Sequence, residues 1–189
     1  MRLLFFAGST REGSFNKRMA RLAQHIATAN GIEGVFVDLA EYEMPLYNGD
    51  LEKHEGPPKA ALEFRALMAE YDGVFIASPE YNSSITPLLK NTLDWVSRVP
   101  KEHGPDVYKT RVFAIGAASP GYFGGMRSLL ALRQVLEVGL GANMIPQQAI
   151  VPGAASAFEE DGSLKDEMRQ KFVADTVEAL AVAARRFKA

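Results

Sequence analysis

The 189-residue sequence contains no cysteine. That absence removes disulfides, thiolate-held zinc or iron–sulfur centres, a cysteine nucleophile and any dithiol redox couple. Redox chemistry in such a chain needs a cofactor brought from outside. Excess positive charge is missing too: 21 Lys and Arg stand against 23 Asp and Glu, a formal net charge of −2. A balance of this kind gives no basic footprint for a phosphate backbone, so nucleic acid is not expected as a partner. The three histidines, His25, His54 and His103, have no triad context, and no GxSxG segment occurs, which argues against a hydrolase. No group of residues has metal-ligand spacing, so no metal is expected. Long apolar runs are also lacking. Nothing approaches the roughly 20 residues of a spanning helix, and Leu3 to Ala7 is too short for a secretory signal. The expectation is a soluble, cytoplasmic protein that does not insert into a membrane. What remains is ordinary globular usage, 47% hydrophobic and 23% charged, at a length that reads as a single domain over residues 1–189.

Short apolar runs alternate with segments of helical period. Leu3 to Ala7, Val35 to Leu39, Gly73 to Ala77, Arg111 to Ile115 and Ala142 to Val151 read as strands, the last bent at Pro146. Between them, Phe15, Met19, Leu22 and Ile26 fall at helical spacing. Pro57 and Pro58 suit the first turn of a helix through Leu62, Ala66 and Met68. Further helices are expected over Leu88 to Val96 and from about Gly125 to Glu137. A last helix places Val173, Val177, Leu180, Ala184 and Phe187 on one face. Ala40 to Gly56 reads as an irregular stretch carrying Met44, Pro45, Leu46 and Tyr47. Five β-α alternations with apolar strands predict an α/β fold, a doubly wound parallel sheet of five strands in three layers. In such a sheet a ligand sits beyond the carboxyl ends of the strands, where strand order reverses.

The loop after the first strand, Gly8 to Asn16, gathers the hydroxyls of Ser9, Thr10 and Ser14, the Asn16 amide and the Arg11 guanidinium at a helix start, a donor-rich set suited to a phosphate. Ser14 and Phe15 stand where a Walker loop has Lys and Ser or Thr, so nucleoside triphosphate hydrolysis is not expected. Equally, Ser14 reads as a helix cap. After the third strand, Pro79-Glu80-Tyr81-Asn82 makes a stiffened turn able to edge a flat heteroaromatic ring. The helix beyond it carries Lys90, Asp94 and Arg98 at salt-bridge spacing, and Trp95 reads as core or subunit contact. The loop after the fourth strand, Ser119 to Gly125, holds glycines that permit close backbone approach. Neither this loop nor Gly139-Leu140-Gly141 fits the dinucleotide fingerprint GxGxxG.

Three motifs, Gly8 to Asn16, the Pro79-Glu80-Tyr81-Asn82 turn with the following Leu88 to Arg98, and Ser119 to Gly125, resemble in order and position the NADPH-dependent FMN reductase family of flavodoxin-like proteins, which includes quinone, chromate and azo-dye reductases. The resemblance extends over essentially the whole chain. It implies strand order 2-1-3-4-5 and one FMN per subunit, with NADPH or NADH as co-substrate. Electrons would pass by a ping-pong route to a small-molecule acceptor of the quinone, azo dye or chromate class, and no side chain would be catalytic in its own right. By the same resemblance Ser9, Arg11, Ser14 and Asn16 would hold the FMN phosphate. Pro79, Glu80, Tyr81 and Asn82 would line the isoalloxazine, and Ser119, Gly121 and Gly124 would border its other side. A homodimer or homotetramer is implied. One departure stands out: relatives usually have Pro-Gly where this chain has Thr86-Pro87. A flavodoxin-like electron carrier or an FMN-binding regulatory module is the alternative. Carriers are typically acidic with a phosphate loop lacking Arg, so the balanced charge and Arg11 favour the reductase.

Overall fold

A computed structural model describes residues 1–188. Five strands, β1 (Arg2–Ala7), β2 (Glu33–Val37), β3 (Gly73–Ala77), β4 (Val112–Ala118) and β5 (Asn143–Val151), form one parallel sheet in the order β2-β1-β3-β4-β5. Side chains alternate across it. Leu3, Phe5 and Ala7 of β1 enter a core shared with helices α1 (Phe15–Ala29) and α8 (Glu167–Lys188), whereas Leu4 and Phe6 enter a second core on the opposite face. That second core is shared with α3 (Lys59–Ala69), α4 (Pro87–Arg98) and α6 (Met126–Arg133). Each fully buried Leu or Phe contributes about 1.5–3 kcal/mol. Covering both faces of β1 therefore fixes it in the sheet interior. The chain leaves β1 toward β2 on one side and returns to β3 on the other, so the switch point lies between β1 and β3.

Several boundaries differ from the sequence reading. The second strand ends at Val37, because Asp38 turns its carboxylate onto the Ala40 N–H at 3.0 Å and starts a short 3₁₀ turn, Leu39–Glu41. The stretch from Ala40 to Gly56 contains a helix, α2 (Gly49–Glu55), capped by Asn48 and without a single buried residue. With no apolar stripe, hydrophobic periodicity could not reveal it. Pro58 is the cap residue before α3 rather than a first-turn residue, whereas Pro87 does occupy the first turn of α4. A short helix, α5 (Val107–Thr110), precedes β4. After Arg133 the chain runs into one π-helical segment, Gln134–Gly139.

Pro146 does mark an irregularity: pairing jumps from Phe113 opposite Met144 to Ile115 opposite Gln148, a bulge in β5. Arg133 donates into it, to the carbonyls of Ile145 at 2.9 Å and Pro146 at 3.0 Å. A short helix, α7 (Ala154–Ala157), leads towards α8. Val173, Val177, Leu180 and Ala184 of α8 are buried as the period predicts, but Phe187 is half exposed. No described helix is long and apolar enough to cross a membrane.

Candidate functional site

Three loops meet at the carboxyl ends of β1, β3 and β4 and enclose a cleft of about 140 Å³ lined by Ser9, Arg11, Ser14, Asn16, Pro79, Glu80, Tyr81 and Ser119 among others. A larger hollow of about 530 Å³ between β5 and α8 has a mainly apolar lining with no comparable set of converging donors. The cleft is where the polar residues of the three loops converge.

Its floor is the start of α1. Ser14 caps that helix by accepting from the Lys17 N–H at 3.3 Å, and Ser9 accepts from the Arg11 N–H at 3.3 Å. Both residues are buried. Since each oxygen already accepts from backbone, each hydroxyl hydrogen is left to donate outward. The first amides of α1 have no intrahelical acceptor and add to the donor set. Arg11 is exposed, and among the described residues its guanidinium has no partner.

Asn16 is placed at the cleft but is largely committed elsewhere. Its Nδ2 donates to the Ala118 carbonyl at 2.8 Å and its Oδ1 accepts from the Ala118 N–H at 2.9 Å. The amide thus pairs with the end of β4 like an extra strand residue, leaving one N–H for a ligand.

The turn after β3 is a tight hairpin. Tyr81 and Ser84 exchange backbone hydrogen bonds of 2.9 and 3.0 Å, while Asn82 and Ser83 hold φ of 49° and 66°. Two positive φ values in succession are the signature of a type I′ turn, which asparagine tolerates better than most residues. Asn82 is exposed beyond the cleft, and Tyr81 forms part of its rim. The Glu80 carboxylate accepts from the Arg127 N–H at 3.1 Å and pairs with the Arg127 guanidinium. Glu80 thereby caps α6 and ties the second loop to the third, and its charge is spent within the protein.

In the third loop, Ser119 lines the cleft and accepts from the Gly121 N–H at 3.2 Å. Gly121 and Gly124 lie outside the lining. Gly124 is a packing position: at φ +61°, a Cβ would meet Ile150 Cγ2 at 2.5 Å and the Pro152 nitrogen at 2.8 Å. Tyr122 and Phe123 are exposed beside it, in edge-to-face contact.

Two further sets of contacts shape the site, built on Lys17, Asp38 and Asn91, which the sequence did not single out. Lys17, buried to 8% exposure, donates to the Thr10 carbonyl at 3.0 Å and pairs with Asp38 at 2.5 Å, holding the first loop against the end of β2. Asn91 donates to the Pro45 carbonyl at 2.9 Å and accepts from the Tyr47 N–H at 2.7 Å, and the fully buried Trp95 donates to the same Pro45 carbonyl at 2.7 Å. Trp95 is thus core, and the i, i+4 pair Asn91 and Trp95 anchors the Met44 to Tyr47 segment. Lys90 pairs with Asp94 as its spacing predicts, but Arg98 reaches Glu52 of α2 at 2.8 Å instead. Arg98, and then the Tyr47 hydroxyl, hold the Glu52 carboxyl below its ordinary range.

A family model described as NADPH-dependent FMN reductase matches residues 1–156. A quinone reductase of Pseudomonas putida is 35% identical over 162 residues, covering 86% of this chain and 83% of its own. An NAD(P)H-dependent FMN reductase of Pseudomonas aeruginosa is 33% identical, covering 100% and 97%. Among solved structures, the flavoenzyme NAD(P)H:(acceptor) oxidoreductase FerB of Paracoccus denitrificans is similar with a TM-score of 0.81 and 26% identity over 98% of both chains.

Proposed function

The chain belongs to the NADPH-dependent FMN reductase family, and from that premise we propose that the cleft above β1, β3 and β4 is its FMN site, used in turn by NAD(P)H and a quinone. Membership makes it an oxidoreductase that works with FMN and NAD(P)H. The observation that carries the placement is the unpartnered Arg11 guanidinium beside the buried Ser9 and Ser14 hydroxyls at a helix start. The one carboxylate in the lining, Glu80, is already bound by Arg127. A donor set with no free acid fits a phosphate.

Bound FMN supplies the two-electron chemistry that these side chains lack. Ser9, Arg11 and Ser14 would hold the phosphate, and Asn16, which braces the floor through Ala118, would offer its remaining N–H. A volume of about 140 Å³, below the roughly 300–1,000 Å³ of a site enclosing a drug-sized ligand, would suit the phosphate arm rather than the whole cofactor. Pro79, Glu80 and Tyr81 would form one wall of the cleft's rim, with Asn82 beyond it. Ser119 would form the other, held by the Gly121 N–H, and Gly124 lets the loop close onto β5. Relatives named quinone reductases support a quinone as acceptor, with azo dyes and chromate as further acceptors to be tried. We further propose a cytoplasmic homodimer or homotetramer, for which the exposed Tyr122 and Phe123 beside the cleft speak.

The test is anaerobic titration of apo-protein with FMN, followed by NAD(P)H and a quinone. Wild type should bind FMN, bleach with NAD(P)H and turn over quinone. Losing a charge-assisted contact worth about 1.5–3 kcal/mol, Arg11→Ala should bind FMN about 10- to 100-fold more weakly. A protein that ignores FMN overturns the function, and unchanged affinity in the variant overturns the placement of the phosphate.

A further inference from the structure

The first loop of the cleft is tied to the start of α4, just after the Pro79 to Asn82 turn, by one buried hydroxyl. Thr86, 3% exposed, precedes α4 and accepts from the Leu89 N–H at 3.1 Å, the ordinary work of a helix cap. The same hydroxyl donates to the Gly8 carbonyl at 2.7 Å, across 78 positions of sequence. Gly8 is where β1 lets go of the sheet: its N–H still bonds Ala77 at 2.9 Å, and β1 has no paired residue after Ala7. Its carbonyl is the first group of the loop that carries Ser9 and Arg11. Contact there is tight, since a Cβ on Gly8 would meet Leu89 Cβ at 2.8 Å.

We propose that Thr86 is a positioning residue that sets the Ser9 to Arg11 loop against the Pro79 to Asn82 turn, and so sets how strongly the site discriminates FMN from the same flavin without its phosphate. The inference rests on the FMN site proposed above. A helix cap needs only an acceptor, and serine, threonine, asparagine and aspartate serve. Holding Gly8 needs a donor at the same position, and a hydroxyl supplies both with one atom. Without the donor, Gly8 keeps a buried carbonyl with no partner, which the loop relieves by turning toward water. Ser9 moves with it, because it is the next residue. The phosphate contacts are disturbed, while the ring turn, closed by its own Tyr81–Ser84 bonds, is not.

Thr86→Val keeps the shape and removes the hydroxyl; Thr86→Ser keeps the hydroxyl and removes a methyl. FMN and riboflavin are titrated into each apo-protein by flavin fluorescence, and urea midpoints are measured alongside. The expected result is that Thr86→Val weakens FMN about 10-fold and riboflavin less than 2-fold, whereas Thr86→Ser stays within about 3-fold of wild type for both. Thr86→Cys, a weaker donor, should fall between them and gives the same reading if the valine variant does not fold. A valine or cysteine variant with a lowered urea midpoint but an unchanged FMN-to-riboflavin ratio overturns the proposal and leaves Thr86 a helix cap. Equal weakening of both flavins also overturns it. Failure of wild type to bind FMN at all refutes the site itself, an outcome distinct from either.

Discussion

Replacing Asn16 with alanine separates support of the cleft from contact with its ligand. In the folded chain the Asn16 amide satisfies both the N–H and the C=O of Ala118, at 2.9 and 2.8 Å, and both residues are buried at 3% exposure. Removing the amide leaves two buried backbone groups unpaired, each costing about 1–3 kcal/mol. A water molecule entering the vacated space recovers part of this, so apo Asn16→Ala should lose about 2–4 kcal/mol. That is a substantial share of the roughly 5–15 kcal/mol of a typical domain. In a protein of this size the melting temperature should drop by about 4–16 °C. The assay is urea and thermal unfolding of protein stripped of flavin, read by circular dichroism. Asn16→Asp is the control: its carboxylate still accepts from the Ala118 N–H but cannot donate to the Ala118 carbonyl, and it should recover none of the loss at neutral pH. If apo Asn16→Ala unfolds with the wild-type midpoint and only FMN affinity suffers, the amide is a ligand contact and the bracing role is wrong.

Gly124 and Gly153 share a positive φ, +61° and +59°, but a Cβ at Gly153 meets nothing within 4 Å. Gly153→Ala should therefore cost only the left-handed strain of about 1–2 kcal/mol. Gly124→Ala adds a clash with Pro152 backbone and should cost about 2–5 kcal/mol in urea unfolding, and equal losses would contradict the packing role. The Glu52 carboxyl is held below its ordinary 4.5 by Arg98 and then Tyr47, so its contribution is present above about pH 4.5 and is lost as pH falls through the lowered value. The stability gap between wild type and Glu52→Gln should accordingly be constant from pH 6 to 8 and close below pH 4.5; a gap that ignores pH would refute the ion pair's role.

The sheet was readable because β1, β3 and β4 are nearly continuous apolar runs bounded by turn residues, a pattern that burial on both faces imposes. All eight site residues lining the cleft belong to the segments that follow those runs, with Ser14 capping α1 and Asn16 inside its first turn. Contacts between distant segments left no local trace. The Lys17–Asp38 pair spans 21 positions, and a lysine in the first turn of a helix reads as solvated until β2 is seen beside it. Thr86 was visible as a departure, yet its bond to Gly8 follows only from the adjacency of β1 and β3. For α2 the signal was absent altogether, because a helix that buries no residue imposes no hydrophobic period. Phe187 shows the converse: it continues the apolar period of α8, yet it is half exposed at the rim of the hollow between β5 and α8.

The bulge in β5 interrupts one border of the sheet as a surface for strand pairing. β5 forms one border of the sheet, and a bare border strand invites a second chain to hydrogen-bond alongside and extend it. At Pro146 an incoming strand finds no N–H, and the Ile145 and Pro146 carbonyls are already bonded to Arg133. Growth of the sheet from one molecule into the next is therefore interrupted midway along that border. Continuation of the sheet is left to the opposite border, β2, a strand of only five residues.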